Sequence, residues 1–227
     1  MTDLSTRVRE GDTIRYNGGV FTIASIGYSD NPRKPLSELR ITATPAMPEE
    51  ITNPWVTTRI GDGPEILTAI QPVEAEELAR LAAGKDVLEI GSAMGYSAII
   101  MALSGGRVTG IDSHKGDNWL GDTLGIMRAN MAWHGVDVEI IAEMDTDAMP
   151  RLYAEGRRFD LVFVDAGGGY DEVKFDVTWG LKLLRPGGSI AIHDYGHVGY
   201  TDKKKVCDEM FPDGPTKLVY SLFIKTP

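Results

Sequence analysis

Cysteine is almost absent. Cys207 stands alone, so no disulfide can close within the chain and a cysteine-rich zinc site is excluded; an inert thiol packed on a helix accounts for it. No apolar run approaches the roughly 18 residues that span a bilayer. The amino-terminal MTDLSTRVREGD lacks the apolar core of a secretory signal, so a cytoplasmic protein is expected. Positive charge is also scarce, and unevenly so. Residues 1–60 hold seven Lys/Arg and seven Asp/Glu, whereas 61–227 hold 16 against 26, which places the whole net charge of −10 in the larger part. Phosphate backbones repel such a body, so nucleic acid is not an expected partner. The run Lys203–Lys205 reads as a solvated helix face.

What is present fits one large domain with an appendage: 227 residues, 42% of them hydrophobic and 25% charged, can bury a substantial core. In residues 1–50, β-branched and aromatic residues flank Asn17-Gly18-Gly19, a hairpin turn signal, and LRITAT at 39–44 supplies a third strand. DNPRKPLSE reads as loop, and PAMPEEITNPW, with its three prolines, as a connector. Residues 51–71 are therefore expected to be a linker that covers substrate. From Pro72 the pattern changes to a helix, PVEAEELARLA, followed by alternating strands and helices: strands 86–90, 107–111, 137–142, 159–165 and 188–193; helices 95–104, 121–134, 146–155 and 171–184. Strands joined through helices make a parallel, doubly wound α/β sheet covered on both faces. A last helix near 201–211 and KLVYSLFIK predict an antiparallel end to that sheet.

Ligands of such sheets lie beyond the carboxyl ends of the strands. There the sequence places Glu89 and the Gly91–Gly95 loop, Asp112, Asp145, Asp165 and His193-Asp194. Packing alone does not require an acidic residue at each strand end. The loop, E-x-G-x-x-x-G, has neither the third glycine nor the lysine of a phosphate cradle, and the surrounding acids would repel pyrophosphate. A ligand with positive charge and hydroxyls is expected instead.

S-adenosylmethionine answers to that description, with cationic amino and sulfonium groups, vicinal ribose hydroxyls and one carboxylate suited to a helix N-terminus. VLEIGSAMGYSA, VTGID, FDLVFVDA and LLRPGGSIAIHD occur in the order and spacing of four motifs. Through them residues 72–194 resemble class I S-adenosylmethionine-dependent methyltransferases, and among these the small-molecule O-methyltransferases that act on catechols and sugars. The resemblance implies a Rossmann-like fold and cofactor contacts at Glu89, Gly91, Ser92, Gly95, Tyr96 and Ser97 toward the methionine end. It further implies Asp112 and Ser113 at the ribose, Asp145 and Thr146 at the adenine, and Asp165 beside them. A helix N-cap is the alternative for Asp145, and a strand-end turn for Asp112.

Transfer from a sulfonium is an in-line displacement, and a hydroxyl acceptor must also lose a proton to a base or beside a metal. The resemblance makes Asp165 and His193 the catalytic candidates, and Asp165 with Asp194 the ligands of Mg²⁺, an ion suited to oxygen donors. Two departures stand against the metal. Gly167–Gly169 occupy places where a carboxylate or lysine is expected, and His193 a place that is commonly acidic. His193 is thus base, ligand or a hydrogen-bonded strand-end residue, with His197 a second candidate. His114 reads as a cofactor-loop residue and His134 as a helix-end cation. Ile70, Gln71, Trp55 and Trp119 are placed to line or cover the site. The acidic surface, and the lack of an N/D-P-P-Y/F motif after Val164, favour a small hydroxylated acceptor such as a sugar or phenol. Nitrogen methylation of a protein or small molecule, or an inactive cofactor-binding protein, are the alternatives, and a homo-oligomer stays open.

Overall fold

The computed structural model describes residues 13–16, 19–27, 40–45, 51, 55–115 and 123–227. The Asn17-Gly18 turn, the 30–38 loop, most of the 46–54 connector and Trp119 with its loop lie outside the described residues. The chain divides into two compact units, Met1–Glu50 and Ile51–Pro227. In the first, β1 (Thr13–Tyr16), β2 (Gly19–Gly27) and β3 (Arg40–Pro45) form an antiparallel sheet in the order β1-β2-β3.

The second unit begins with a hairpin that the proline-rich sequence conceals. β4 (Val56–Arg59) pairs antiparallel with β5 (Glu65–Thr68). Then α1 (Pro72–Ala82) starts on a proline whose fixed φ suits the first helical turn, and Glu74 reaches back to the Gln71 N–H at 2.9 Å. The remaining elements alternate: β6 (Asp86–Ile90), α2 (Tyr96–Leu103), β7 (Arg107–Ile111), α3 (Leu124–His134), β8 (Glu139–Ile141), α4 (Asp145–Ala154), β9 (Phe159–Val164), α5 (Tyr170–Leu183) and β10 (Leu184–Ile192). α6 (Thr201–Met210), β11 (Lys217–Val219) and β12 (Leu222–Lys225) complete the chain.

These strands form one seven-stranded sheet in the order β11-β12-β10-β9-β6-β7-β8. β6 to β10 run parallel, and β12 and β11 return antiparallel. The nearly unbroken apolar runs have a direct cause. Successive residues point to opposite faces of a strand, and both faces are buried. Val87, Val108, Leu161 and Phe163 join one core with α1, α2 and α3 residues; Leu88, Ile90, Val162 and Val164 join the other with α4, α5 and α6 residues. Among the described residues no helix is long and apolar enough to cross a membrane.

Register positions the site. Ile90 pairs with both Ile111 and Val164, and Val164 with Ile192. The next residues, Gly91, Asp112, Asp165 and His193, therefore emerge at one level. Their amides extend the ladder by one rung: Gly91 N–H to Ile111 O at 2.8 Å, Asp112 N–H to Ile141 O at 3.2 Å, Asp165 N–H to Ile90 O at 2.8 Å and His193 N–H to Val164 O at 3.0 Å.

Candidate active site

Two adjoining hollows of about 340 and 410 Å³ run along this rim and share Trp55, Gly91, Ala93 and Asp165. One is lined by the loop and helix start Gly91–Ser97 (except Gly95), with Ile70, Asp194, His197, Tyr200 and Lys203. The other is lined by Asp112, Ser113, Met144, Asp145, Thr146, Ile111 and Phe175. Of the residues expected in the site, Glu89, Gly95, Gln71 and His193 line neither hollow.

Gly91 makes the junction possible. Its φ is +90°, and a Cβ there would lie 2.7 Å from backbone atoms of Asp165 and Ala166. Only glycine lets β6 and β9 end so close together. Behind the loop, Glu89 is fully buried and accepts the Ser97 hydroxyl proton at 2.5 Å. Burial pushes its carboxyl up to about 7; hydrogen bonding from Ser97 and Ser92 pulls it down, and the charges of Asp165 and Asp112 push it up. Ser97 thus answers one oxygen of this carboxyl from within the protein, where it braces the loop, while Oε2 is buried with no hydrogen bond among the described residues.

Asp112 is a connector as well as a groove residue. Its Oδ2 accepts from Ala93 N–H at 2.8 Å and its Oδ1 from His114 N–H at 2.7 Å, and each oxygen keeps lone pairs for a ligand. His114 is buried, with Nδ1 3.0 Å from Thr123 Oγ1. Asp145 opens α4, where its Oδ1 accepts the Thr146 N–H at 2.8 Å. The N-cap position itself belongs to Met144, with no side-chain cap bond, so Asp145 is the first helical residue and also lines the hollow.

The other end of the groove holds a buried ionic cluster. His193 is fully buried, with Nε2 3.1 Å from Glu74 Oε2 and Nδ1 3.0 Å from Asp165 Oδ1 and 3.4 Å from Asp194 Oδ1. Burial works against its charge, but Asp165 and Glu74 outweigh it and raise the imidazole well above its ordinary range. Glu74 also accepts from Ser221 N–H at 3.0 Å and Ser221 Oγ at 2.6 Å. Asp194 takes a left-handed backbone, φ +63°, which aspartate tolerates better than most residues.

Lys203 completes this cluster, and here the expectation of a solvated Lys203–Lys205 face is corrected. Lys204 and Lys205 are exposed, but Lys203 is only 2% exposed, with Nζ 3.6 Å from Asp194 Oδ2 and 3.8 Å from Asp165 Oδ1. The signal was its spacing. Lys203 lies three and four residues before the buried Val206 and Cys207, on the inward stripe of α6.

Asp165, His193 and Asp194 are the one group among the described residues whose ligand atoms lie within 4.8 Å of one another. The set does not fit Mg²⁺ as it stands. Both carboxylates already face the Lys203 ammonium, at 3.8 and 3.6 Å, so a divalent ion held by them would meet a like charge. The histidine nitrogen that faces the carboxylates is also a poor magnesium donor.

Comparison with known proteins agrees with this architecture. A family model described as a methyltransferase domain matches residues 88–195. The catechol O-methyltransferase of Mycobacterium tuberculosis (strain ATCC 25618 / H37Rv) is 29% identical over 157 residues, 60% of this chain and 67% of that protein. The O-methyltransferase from Bacillus cereus, solved with SAH, superposes with a TM-score of 0.55 at 23% identity, over 68% of this chain and 80% of its own. TomG from Streptomyces achromogenes, an O-methyltransferase involved in tomaymycin synthesis and solved with SAM, superposes with a TM-score of 0.53 at 23% identity, over 68% and 79%. The two structural likenesses establish the fold.

Proposed function

We propose that this S-adenosylmethionine-dependent methyltransferase, whose residues 88–195 are its matched methyltransferase domain, passes the methyl group to a hydroxyl oxygen of a small acceptor. One observation carries the reading: a single groove on the carboxyl rim joins a nucleoside-sized half, bordered by Asp112 and Asp145, to a half that ends in carboxylates and an ammonium. The similarity to a catechol O-methyltransferase supports oxygen as the acceptor atom. The acidic body disfavours nucleic acid.

In this reading S-adenosylmethionine, when bound, supplies an electrophilic methyl group on sulfur. The free lone pairs of Asp112 accept from the two ribose hydroxyls, with Ser113 beside it. Asp145 and Thr146 face the adenine edge, and Ile111, Met144 and Phe175 offer apolar surface to its ring. Gly91, Ser92, Tyr96 and Ser97 take the amino-acid end at the start of α2, where exposed amides favour a carboxylate. Glu89 and Gly95 shape that loop from behind. Asp165, which borders both halves, receives the acceptor's hydroxyl proton. His193, held between Glu74 and Asp165, positions that carboxylate. No step is assigned to Mg²⁺.

The test is a screen of phenols and sugars with methyl-labelled S-adenosylmethionine, run alongside calorimetry with S-adenosylhomocysteine. Asp112→Ala is expected to weaken S-adenosylhomocysteine binding by about 10- to 100-fold, the worth of hydrogen bonds to a charged group. Unchanged affinity in that variant, or label found only on nitrogen acceptors, would refute the assignment.

A further inference from the structure

We propose that the Lys203 ammonium takes the place of a divalent cation in this site, so that methyl transfer proceeds with a fixed protein cation and no metal ion. The inference rests on the oxygen-transfer reading above and assigns a further catalytic residue to it.

Lys203 is a buried charge that has not used its donors. Its side chain is 2% exposed, yet among the described residues no acceptor lies within 3.5 Å of Nζ; Asp194 and Asp165 stand at 3.6 and 3.8 Å. The side chain is buried along its length while Nζ stays outside the enclosed polar atoms, so its donors open toward the hollow. Lys203 also lines the groove together with Gly91, Asp165 and Asp194. Its N–H groups are thus placed where an acceptor oxygen approaches the methyl group.

Gly168 belongs to the same arrangement. A Cβ at Gly168 would lie 2.8 Å from the Tyr200 ring, and Tyr200 caps α6, three residues before Lys203. The Tyr200 ring in turn stands 5.6 Å from Nζ. The missing side chain at Gly168 therefore leaves room for Tyr200 at the start of α6. The site's lysine is delivered by α6, which Val206 and Cys207 hold in the core.

The step balances without another reactant. The acceptor oxygen forms its bond to the methyl carbon as the carbon–sulfur bond breaks and its electron pair stays on sulfur. The hydroxyl proton passes to Asp165. Lys203 remains an ammonium throughout and stabilises negative charge on the oxygen as that proton leaves.

Electron paramagnetic resonance of Mn²⁺ added to the 227-residue chain tests this, with S-adenosylhomocysteine calorimetry run on the same samples. The wild type is expected to bind no Mn²⁺ at Asp165 and Asp194, and turnover of whichever acceptor the screen yields is expected to survive EDTA. In Lys203→Met the vacated carboxylates are expected to bind Mn²⁺, with turnover falling by about 100-fold or more and partly restored in Lys203→Arg. Mn²⁺ bound by the wild type and lost in Asp194→Asn would overturn the proposal, as would turnover abolished by EDTA and restored by Mg²⁺. The wild-type measurement decides even if Lys203→Met fails to fold. Failure of the methyltransferase reading shows separately, as absent S-adenosylhomocysteine binding.

Discussion

Asp176, on α5, is fully buried, and neither of its carboxylate oxygens makes a complete hydrogen bond among the described residues. Burial, reinforced by the neighbouring Asp145, pushes its carboxyl from 3.8 up to about 9. The folded state then holds a proton that the unfolded state has released. Unfolding therefore releases a proton between about pH 4 and 9, so this stabilising contribution is complete below about pH 4 and lost as pH rises through about 9. Asp176→Asn removes the ionisation and its pH dependence. The variant is expected to exceed the parent in stability by about 1–3 kcal/mol near pH 8, with the gap closing toward acid pH, as read by denaturant midpoints. Parallel pH profiles for the two proteins would contradict the buried-acid account. Glu89 shows the alternative solution to the same burial problem, since Ser97 holds one of its oxygens.

At the scale of elements, the turn after β6 is the most constrained connection in the fold. Gly91→Ala places a Cβ 2.7 Å from the end of β9 at φ +90°. The substitution is expected to cost about 1–3 kcal/mol in thermal stability and to weaken S-adenosylhomocysteine binding; an alanine variant that matches the parent in both measurements would show the close approach to be unnecessary. This loop was legible in the sequence because strand, glycines and helix follow each other within Asp86–Ala98. The central strands were legible for a related reason: double burial removes polar residues from DLVFV and SIAI. The hairpin of β4 and β5 was not. β4 is mostly exposed, so it carries no alternation, and nearby prolines read as a connector. Lys203 was obscured by its two exposed neighbours, and the burial of His193 by a partner, Glu74, that lies 119 residues away. Contacts between distant segments leave no local pattern to read.

At the scale of the whole molecule, every described residue lining the groove belongs to Ile51–Pro227, which also holds the family match. Residues 51–227 expressed alone are expected to bind S-adenosylhomocysteine with the affinity of the full chain by calorimetry. A large loss would assign the first fifty residues a part in ligand capture. The charge distribution points the same way, since residues 61–227 carry the entire negative excess and so attract a cationic nucleoside.

The shared register of Ile90, Ile111, Val164 and Ile192 has a consequence for how such a protein changes over time. The floor beneath the ligand is main chain, fixed by the sheet, and β7, β9 and β10 each set a side chain at its level while β6 sets a glycine there. An exchange of a side chain that faces the hollow alters what is held while the main-chain ladder beneath it stays paired. Chemical preference can therefore drift one residue at a time while the scaffold stays folded.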